Sequence, residues 1–125
     1  MKLLLDTHVV LWWLDDPLLL SQTAREVIAD PVNDVLVSAA VCWEIAIKRG
    51  LGKLTAPADL RGALYSCGFG ELHITSAHVL ATETLPMHHR DPFDRILVAQ
   101  ALMEGATLVS RDPMVAAYRV STITA

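Results

Sequence analysis

Short apolar runs alternate with amphipathic segments along the whole chain, which predicts strands and helices in turn. The runs with strand character are residues 2–5, 35–37, 72–74, 107–109 and 120–123. The helical segments are residues 9–14, the stretch between Ser21 and Pro31, residues 39–49, residues 57–66, the stretch from Ser76 to Leu85 and one from Pro92, with a helical turn from Pro113. Strands that alternate with helices indicate an α/β fold, with a parallel sheet covered on both faces.

The ends of these helices carry the expected capping residues. Ser21, Ser38 and Ser76 precede apolar-periodic segments and are typical N-caps, whereas Gly50 and Gly68 follow such segments and are typical of helix ends. We therefore expect each helix to begin just after a strand or turn.

In an open parallel sheet the functional crevice lies beyond the carboxyl ends of the strands. Asp6 directly follows the first strand, where it is either a cap or a functional acid. Glu44 lies one helical turn from Lys48 and is either half of an exposed ion pair or, because its helix is largely apolar, functional. Asp112 follows the 107–109 strand, where an N-cap role and a position facing the crevice are compatible.

The segment HHRDPFDRILVAQA contains two aspartates with different predicted roles. Asp91 and Pro92 form a standard helix start, with Asp91 as the N-cap. Asp94 then shares a helix side with Leu97, Val98 and Ala101, away from the polar side marked by Gln100 and Glu104. A carboxylate among apolar side chains is costly unless it is paired with a cation, hydrogen-bonded or bound to a metal, so Asp94 is predicted to be functional.

Four acids are therefore predicted to meet at one edge of the sheet. Clustered carboxylates repel one another, and a hard divalent cation is the usual resolution. Ligand sets made only of oxygen favour Mg²⁺ or Mn²⁺, and such sites commonly serve phosphoryl chemistry.

The composition adds limits. We expect a single domain over residues 1–125, and the 53% of hydrophobic residues indicates a surface covered by a partner. The longest stretch without Asp, Glu, Lys or Arg is residues 72–82, too short to span a membrane, and no signal peptide is evident, which favours a cytoplasmic location. Cys42 and Cys67 lack zinc or redox spacing, and His88 and His89 lack partners at metal spacing, so these histidines are interpreted as surface or substrate-edge residues.

The net charge of −4 argues mildly against nucleic-acid binding, but the distribution of the cations matters more. Half of the ten basic residues lie within five positions of Glu44, Asp94 or Asp112, namely Lys48, Arg49, Arg90, Arg95 and Arg111. They either balance nearby acids or form phosphate contacts around a metal centre.

Four segments in this order and spacing, LLLDTHVVLWWL, VSAAVCWEIAIKRGLGKL, LPMHHRDPFDRILVAQA and LVSRDPMVAAY, resemble the PIN-domain ribonucleases of the VapC toxin type. The resemblance runs nearly from end to end. It implies a three-layer α/β/α fold with a central parallel sheet of about five strands. It also implies a Mg²⁺- or Mn²⁺-dependent endoribonuclease, the toxin of a toxin–antitoxin pair, that forms a homodimer and binds an antitoxin and RNA.

The resemblance also implies roles for individual residues. Asp6, Asp94 and Asp112 would bind the metal, and Glu44 would orient the attacking water or act as base, leaving 3′-hydroxyl and 5′-phosphate ends. Ser110 fits the hydroxyl residue that the family has two positions before its fourth acid. Ser110, Arg95 and Arg111 would contact the substrate, the two arginines through phosphate. Val41 stands where many relatives have a serine, so any hydrogen bond from that serine is missing.

Three other functions are weighed against this one. A haloacid-dehalogenase-type phosphatase needs a second aspartate two residues after the first, where this chain has His8. A nucleotide-binding loop does not fit RGLGKL, which follows a helix and lacks Ser or Thr after Lys53. A catalytically inactive PIN fold that acts as a binding module remains an alternative, although all four acids are present.

Overall fold

Five strands and six helices alternate in the computed structural model, which describes residues 1–125. The strands are β1 (Lys2–Leu5), β2 (Asp34–Ser38), β3 (Gly70–Leu72), β4 (Thr107–Ser110) and β5 (Thr122–Thr124). The helices are α1 (Thr7–Asp15), α2 (Gln22–Ala29), α3 (Ala39–Gly50), α4 (Leu60–Ser66), α5 (Ser76–Ala81) and α6 (Pro92–Glu104). Short 3-10 turns cover Pro17–Leu19, Thr82–Thr84 and Val115–Ala117.

The strands form one parallel sheet in the order β3-β2-β1-β4-β5, with Leu5 beside both Val37 and Val109. The predicted α/β/α fold with five parallel strands is confirmed. The chain adds β2 and β3 on one side of β1, and then β4 and β5 on the other. The carboxyl ends of β1 and β4 therefore lie at the point where the strand order reverses, which is where α/β sheets form their crevice.

The core explains why the strand sequences are continuously apolar. Leu3, Leu4 and Leu5 are all fully buried, so the central strand β1 is covered on both faces. A strand with one face in water would instead alternate apolar and polar residues. The same cluster includes Leu97, Val98 and Ala101 of α6, the residues predicted to share the side of Asp94.

Several predicted boundaries are confirmed and several are corrected. Ser21 and Ser38 cap α2 and α3 as predicted, but Thr75, not Ser76, caps α5. Gly50 does not stop α3, which includes it; the left-handed residue is Gly52, with φ of 69°. The helix predicted over residues 57–66 begins at Leu60. The third strand, predicted over residues 72–74, lies two residues earlier, and the fifth strand, predicted over residues 120–123, begins two residues later.

Gln100 is a further correction, because it does not mark a polar surface of α6. It is fully buried, and its Nε2 donates to the carbonyl of His73 at 3.3 Å. α6 is therefore buried over more of its circumference than the pattern predicted. None of the helices has the length and apolar character needed to cross a membrane.

Candidate active site

The four acids singled out from the sequence line one pocket of about 260 Å³. Asp6 follows β1, Asp112 follows β4, and Glu44 and Asp94 project from α3 and α6. The remaining lining residues are Thr7, His8, Trp12, Lys48, His89, Asp91 and Arg111. A larger pocket of about 360 Å³ lies beside α4 and β3 but contains one carboxylate, Glu71. Carboxylate chemistry therefore identifies the smaller pocket as the candidate site.

Asp6 is both a helix cap and a pocket residue. Its Oδ1 accepts the backbone N–H of Val9 at 3.0 Å, which caps α1. Burial raises the pKa of the Asp6 carboxyl, although hydrogen bonds from Ser110 and Val9 oppose this shift. The two roles weighed for Asp6 therefore coexist structurally.

Glu44 is buried and is held by two donors. The Thr7 hydroxyl donates to Oε1 at 2.5 Å, and Lys48 Nζ donates to Oε2 at 2.6 Å. This contact raises the pKa of Lys48. The ion pair between Glu44 and Lys48 exists. Because Glu44 is only 6% exposed, however, this pair is not the exposed surface ion pair that the sequence left as an alternative. Sequence reasoning did not identify Thr7 as a partner.

Asp94 is the acid whose ionisation is most perturbed. Burial raises its pKa from 3.8 to about 7, and the nearby negative charge of Asp91 adds to the effect, while His89 opposes it. Asp91 caps α6 as predicted: its side chain accepts the N–H of Phe93 at 2.9 Å, and Pro92 follows at the first helical position. The carboxylate of Asp94 thus faces other acids instead of a fixed cation.

His89 lies between two of the acids. Its Nε2 is 2.7 Å from Asp112 Oδ2 and 3.0 Å from Asp94 Oδ2. Slight desolvation of Asp112 is outweighed by hydrogen bonds from the Met114 N–H and His89, so the pKa of Asp112 is lowered. Of the two interpretations of His89, a surface residue is wrong, because its side chain is only 13% exposed, whereas a position at the edge of the site is compatible with its place in the pocket lining. Its place in an irregular loop gave no periodic signal of this contact.

The sequence of the chain matches that of a known protein family. The family model described as PIN domain matches residues 3–120. This chain belongs to the PIN domain family.

Relatives of this PIN domain are found among both sequences and structures. It is 30% identical to Ribonuclease VapC22 of Mycobacterium tuberculosis, over 93% of this chain and 91% of that protein. Its fold is similar to that of VapBC2 from Rickettsia felis bound to a DNA fragment from their promoter, with a TM-score of 0.73, 15% identity and coverage of 99% and 98% of the two chains. A toxin–antitoxin complex from Klebsiella pneumoniae gives a TM-score of 0.64, 16% identity and coverage of 97% and 95%.

The donor set of the PIN-domain pocket fits a divalent cation. Carboxylate oxygens of Asp94 and Asp112 lie within 4.8 Å of each other, with the His89 ring between them, and Asp6 is close enough to raise the pKa of Asp94. Crowded, partly desolvated carboxylates are stabilised by a hard cation that brings positive charge and accepts oxygen ligands. The acids present therefore suit Mg²⁺ or Mn²⁺.

Ser110 and Arg111 lie beside the acids. Ser110 is buried, and its Oγ accepts the N–H of Asp112 at 3.1 Å. The guanidinium carbon of Arg111 lies 4.2 Å from the centroid of the Trp12 ring, and its Nη2 donates to carbonyls outside the pocket. Arg111 therefore sits at the rim, stacked on an aromatic ring, with a side available to a ligand.

Arg95 lies elsewhere, and a phosphate contact by it finds no support in this geometry. Its guanidinium does not line the pocket but donates to the loop before α6. The acceptors are the carbonyls of Thr82, Leu85, Pro86 and His89 and the hydroxyl of Tyr118. Its donors are thus directed to the protein itself, and its role in this conformation is to anchor that loop.

Proposed function

We propose that this PIN domain is a divalent-metal-dependent endoribonuclease and the toxin of a toxin–antitoxin pair. The observation that carries the proposal is the convergence of Asp6, Glu44, Asp94 and Asp112, beside Asp91, in one pocket, with the pKa of Asp94 raised to about 7. Perturbed acids in a crevice at a sheet reversal are a recognised signature of catalytic sites. The named relative, a ribonuclease, supports the same conclusion.

Each acid has a distinct part in this proposal. Asp6, Asp94 and Asp112 would hold the cation, and their separate attachment to β1, α6 and the end of β4 fixes them on rigid elements. When bound, a divalent cation activates water and neutralises charge on the departing oxygen.

Glu44 is held by Thr7 and Lys48, so its carboxylate is fixed in orientation. An ionised carboxylate has further lone pairs, and Glu44 would accept a hydrogen bond from a water and align it with phosphorus, or take its proton. The water oxygen forms a bond to phosphorus while the bond to the 3′ oxygen breaks, which yields a 3′-hydroxyl and a 5′-phosphate.

The substrate contacts follow from the charges at the rim. Lys48 and Arg111 line the pocket, and Arg111 is exposed, so a phosphate beside the acids would meet positive charge. Ser110 is buried behind the acids and would act by holding the Asp112 turn and the Asp6 carboxylate, not by touching RNA.

RNA cleavage with added or withheld metal tests the proposal. The purified protein is expected to cut structured RNA with Mg²⁺ or Mn²⁺ and to stop with EDTA. Asp94→Asn should reduce the rate by about a thousandfold or more, because loss of a ligand charge removes cation and transition-state stabilisation together. Gel analysis of end-labelled RNA measures both effects.

Asp59→Asn is the matched control. Asp59 is an exposed N-cap of α4, outside the pocket, and asparagine caps helices equally well, so its activity should equal that of wild type. Equal cutting by the wild type and Asp94→Asn would contradict the site. Binding of RNA without cutting by any variant would instead favour the inactive binding module.

The protein partners are proposed to be an antitoxin and a second copy of the chain. One structural neighbour, from Klebsiella pneumoniae, is described as a toxin–antitoxin complex, which supports the antitoxin. Trp43 and Ile47 of α3 and Leu51 at its C-cap follow one another at four-residue spacing, and they are 61%, 39% and 64% exposed. Such an apolar stripe is typical of an interface, and we assign it to the homodimer.

Light scattering of the purified protein tests the dimer. We expect twice the chain mass of 13.7 kDa for the wild type. The double variant Ile47→Glu/Leu51→Glu should have the chain mass alone, because each protomer would bury two unpaired negative charges in the interface. Val32→Glu, at an 82% exposed position in a turn, should remain dimeric. A dimer that survives the double substitution would place the interface on another surface.

A further inference from the structure

His89 occupies the space between two of the acids assigned to the cation. Its Nε2 lies within hydrogen-bond distance of one oxygen of Asp112 and one of Asp94, at 2.7 and 3.0 Å. Both oxygens are therefore engaged by the protein itself. None of the roles in the proposed reaction uses this histidine.

Hydrogen bonds fix both backbone polar groups of His89. Its N–H donates to the Tyr118 hydroxyl at 3.0 Å, and its carbonyl accepts from Arg95 Nη1 at 3.4 Å. Tyr118 itself is buried. The ring is consequently presented to the acids by a fixed backbone, and its contact with them is not that of a free surface side chain.

The other ring nitrogen decides what Nε2 can do. Nδ1 accepts the backbone N–H of Asp91 at 3.1 Å, so Nδ1 carries a lone pair and the ring proton lies on Nε2. To ligate a metal, Nε2 would have to lose that proton. A neutral ring would then carry the proton on Nδ1, facing the Asp91 N–H, and the loop would lose that hydrogen bond. His89 is arranged as a donor and not as a metal ligand.

We propose that His89 competes with the divalent cation for Asp94 and Asp112, and so sets how tightly the site binds the cation. This inference rests on the proposed metal-dependent function. A cation can take the two carboxylate oxygens only by displacing or weakening the N–H contacts of His89, which lowers its apparent affinity. Because His89 contributes no nitrogen ligand, the donor set stays entirely oxygen and gives no preference for softer metals such as Ni²⁺.

Titration calorimetry with Mn²⁺ and, separately, Ni²⁺ at pH 8 tests the proposal without relying on activity. We expect His89→Ala and His89→Phe to bind each metal about tenfold more tightly than the wild type, because hydrogen bonds to charged groups no longer oppose binding. Two variants are used because phenylalanine keeps the ring volume while alanine removes it. His88→Ala is the matched control: this neighbouring histidine does not line the pocket, and its variant should bind as the wild type does.

Equal or weaker binding by the folded His89 variants overturns the proposal. A loss of affinity that is larger for Ni²⁺ than for Mn²⁺ would make His89 a nitrogen ligand instead. Asp94→Asn separates this failure from that of the proposed function, because it should weaken binding of both metals. If the wild type and Asp94→Asn bind Mn²⁺ equally, the metal site itself is wrong, and the role of His89 falls with it.

Discussion

Asp94→Asn is expected to stabilise the metal-free protein at pH 8 by up to about 4 kcal/mol, although it destroys the proposed activity. The carboxyl has a pKa of about 7 in the folded protein against 3.8 when unperturbed, because of burial and the charge of Asp91. Each unit of difference corresponds to about 1.4 kcal/mol, and partial solvent exposure makes the full sum an upper limit. Asparagine removes the charge and with it the cost of ionisation in this pocket.

The sign of the pH dependence follows from the raised pKa. Between about pH 4 and pH 7 the folded state holds a proton on Asp94 that the unfolded state releases, so stability falls as pH rises through this window. Asp6, whose pKa is also raised by burial, acts in the same direction. Asp112 has a lowered pKa and stays ionised in both states above about pH 5, so it adds no slope there.

Urea unfolding at pH 5 and pH 8 in EDTA measures the effect. The wild type should be less stable at pH 8, whereas Asp94→Asn should lose most of this difference. Asp59→Asn, at an exposed helix cap, should show the same difference in stability between pH 5 and pH 8 as the wild type. Saturating Mn²⁺ should stabilise the wild type at pH 8 and have little effect on Asp94→Asn. A wild type whose stability rises from pH 5 to pH 8 would contradict the pKa of Asp94. This exchange of stability for a charged site is typical of functional acids.

The fold and the meeting of the four acids at one sheet edge were predictable from local signals, together with the resemblance to PIN-domain ribonucleases. A short run such as Leu3-Leu4-Leu5 is typical of a strand buried on both faces, and strand–helix alternation then predicts a parallel sheet. Helix geometry distinguished Asp91, which caps α6, from Asp94, which does not, although both residues line the pocket. The carboxyl ends of parallel strands meet at one edge, and this brought Asp6 and Asp112 together.

The residues that were missed depend on contacts between distant segments. His89 lies in a loop without periodicity, and only the fold brings it to Asp112. Gln100 looked like a surface residue, but α5 and the segment before it cover this side of α6, where His73 supplies an acceptor. Thr7 carries no sequence signal for its contact, in which its hydroxyl donates to Glu44. A polar side chain in a sequence does not indicate which distant group will satisfy it.

Arg95→Ala is expected to destabilise the protein by about 3 kcal/mol and to loosen residues 82–91. Arg95 is the common donor of this segment, and its loss leaves several carbonyls and the Tyr118 hydroxyl without their charged partner. Hydrogen bonds to charged groups contribute about 1.5–3 kcal/mol each, but water replaces the donor at exposed carbonyls, so the sum is discounted. Urea unfolding measures the stability, and amide hydrogen exchange of residues 82–91 measures the loop.

Arg49→Ala provides the comparison, because Arg49 makes a single hydrogen bond, to the carbonyl of Pro57 at 2.6 Å, and should cost less than about 1 kcal/mol. Arg95→Lys keeps the charge but not the planar guanidinium that reaches several acceptors at once. Its loss of stability should therefore lie between those of Arg95→Ala and Arg49→Ala. If Arg95 instead contacts phosphate, as the sequence suggested, Arg95→Ala would leave stability and loop exchange unchanged and would raise the KM for RNA. Loop protection that depends on Arg95 in the absence of RNA distinguishes an anchor from a substrate contact, since only the anchor acts before any substrate binds.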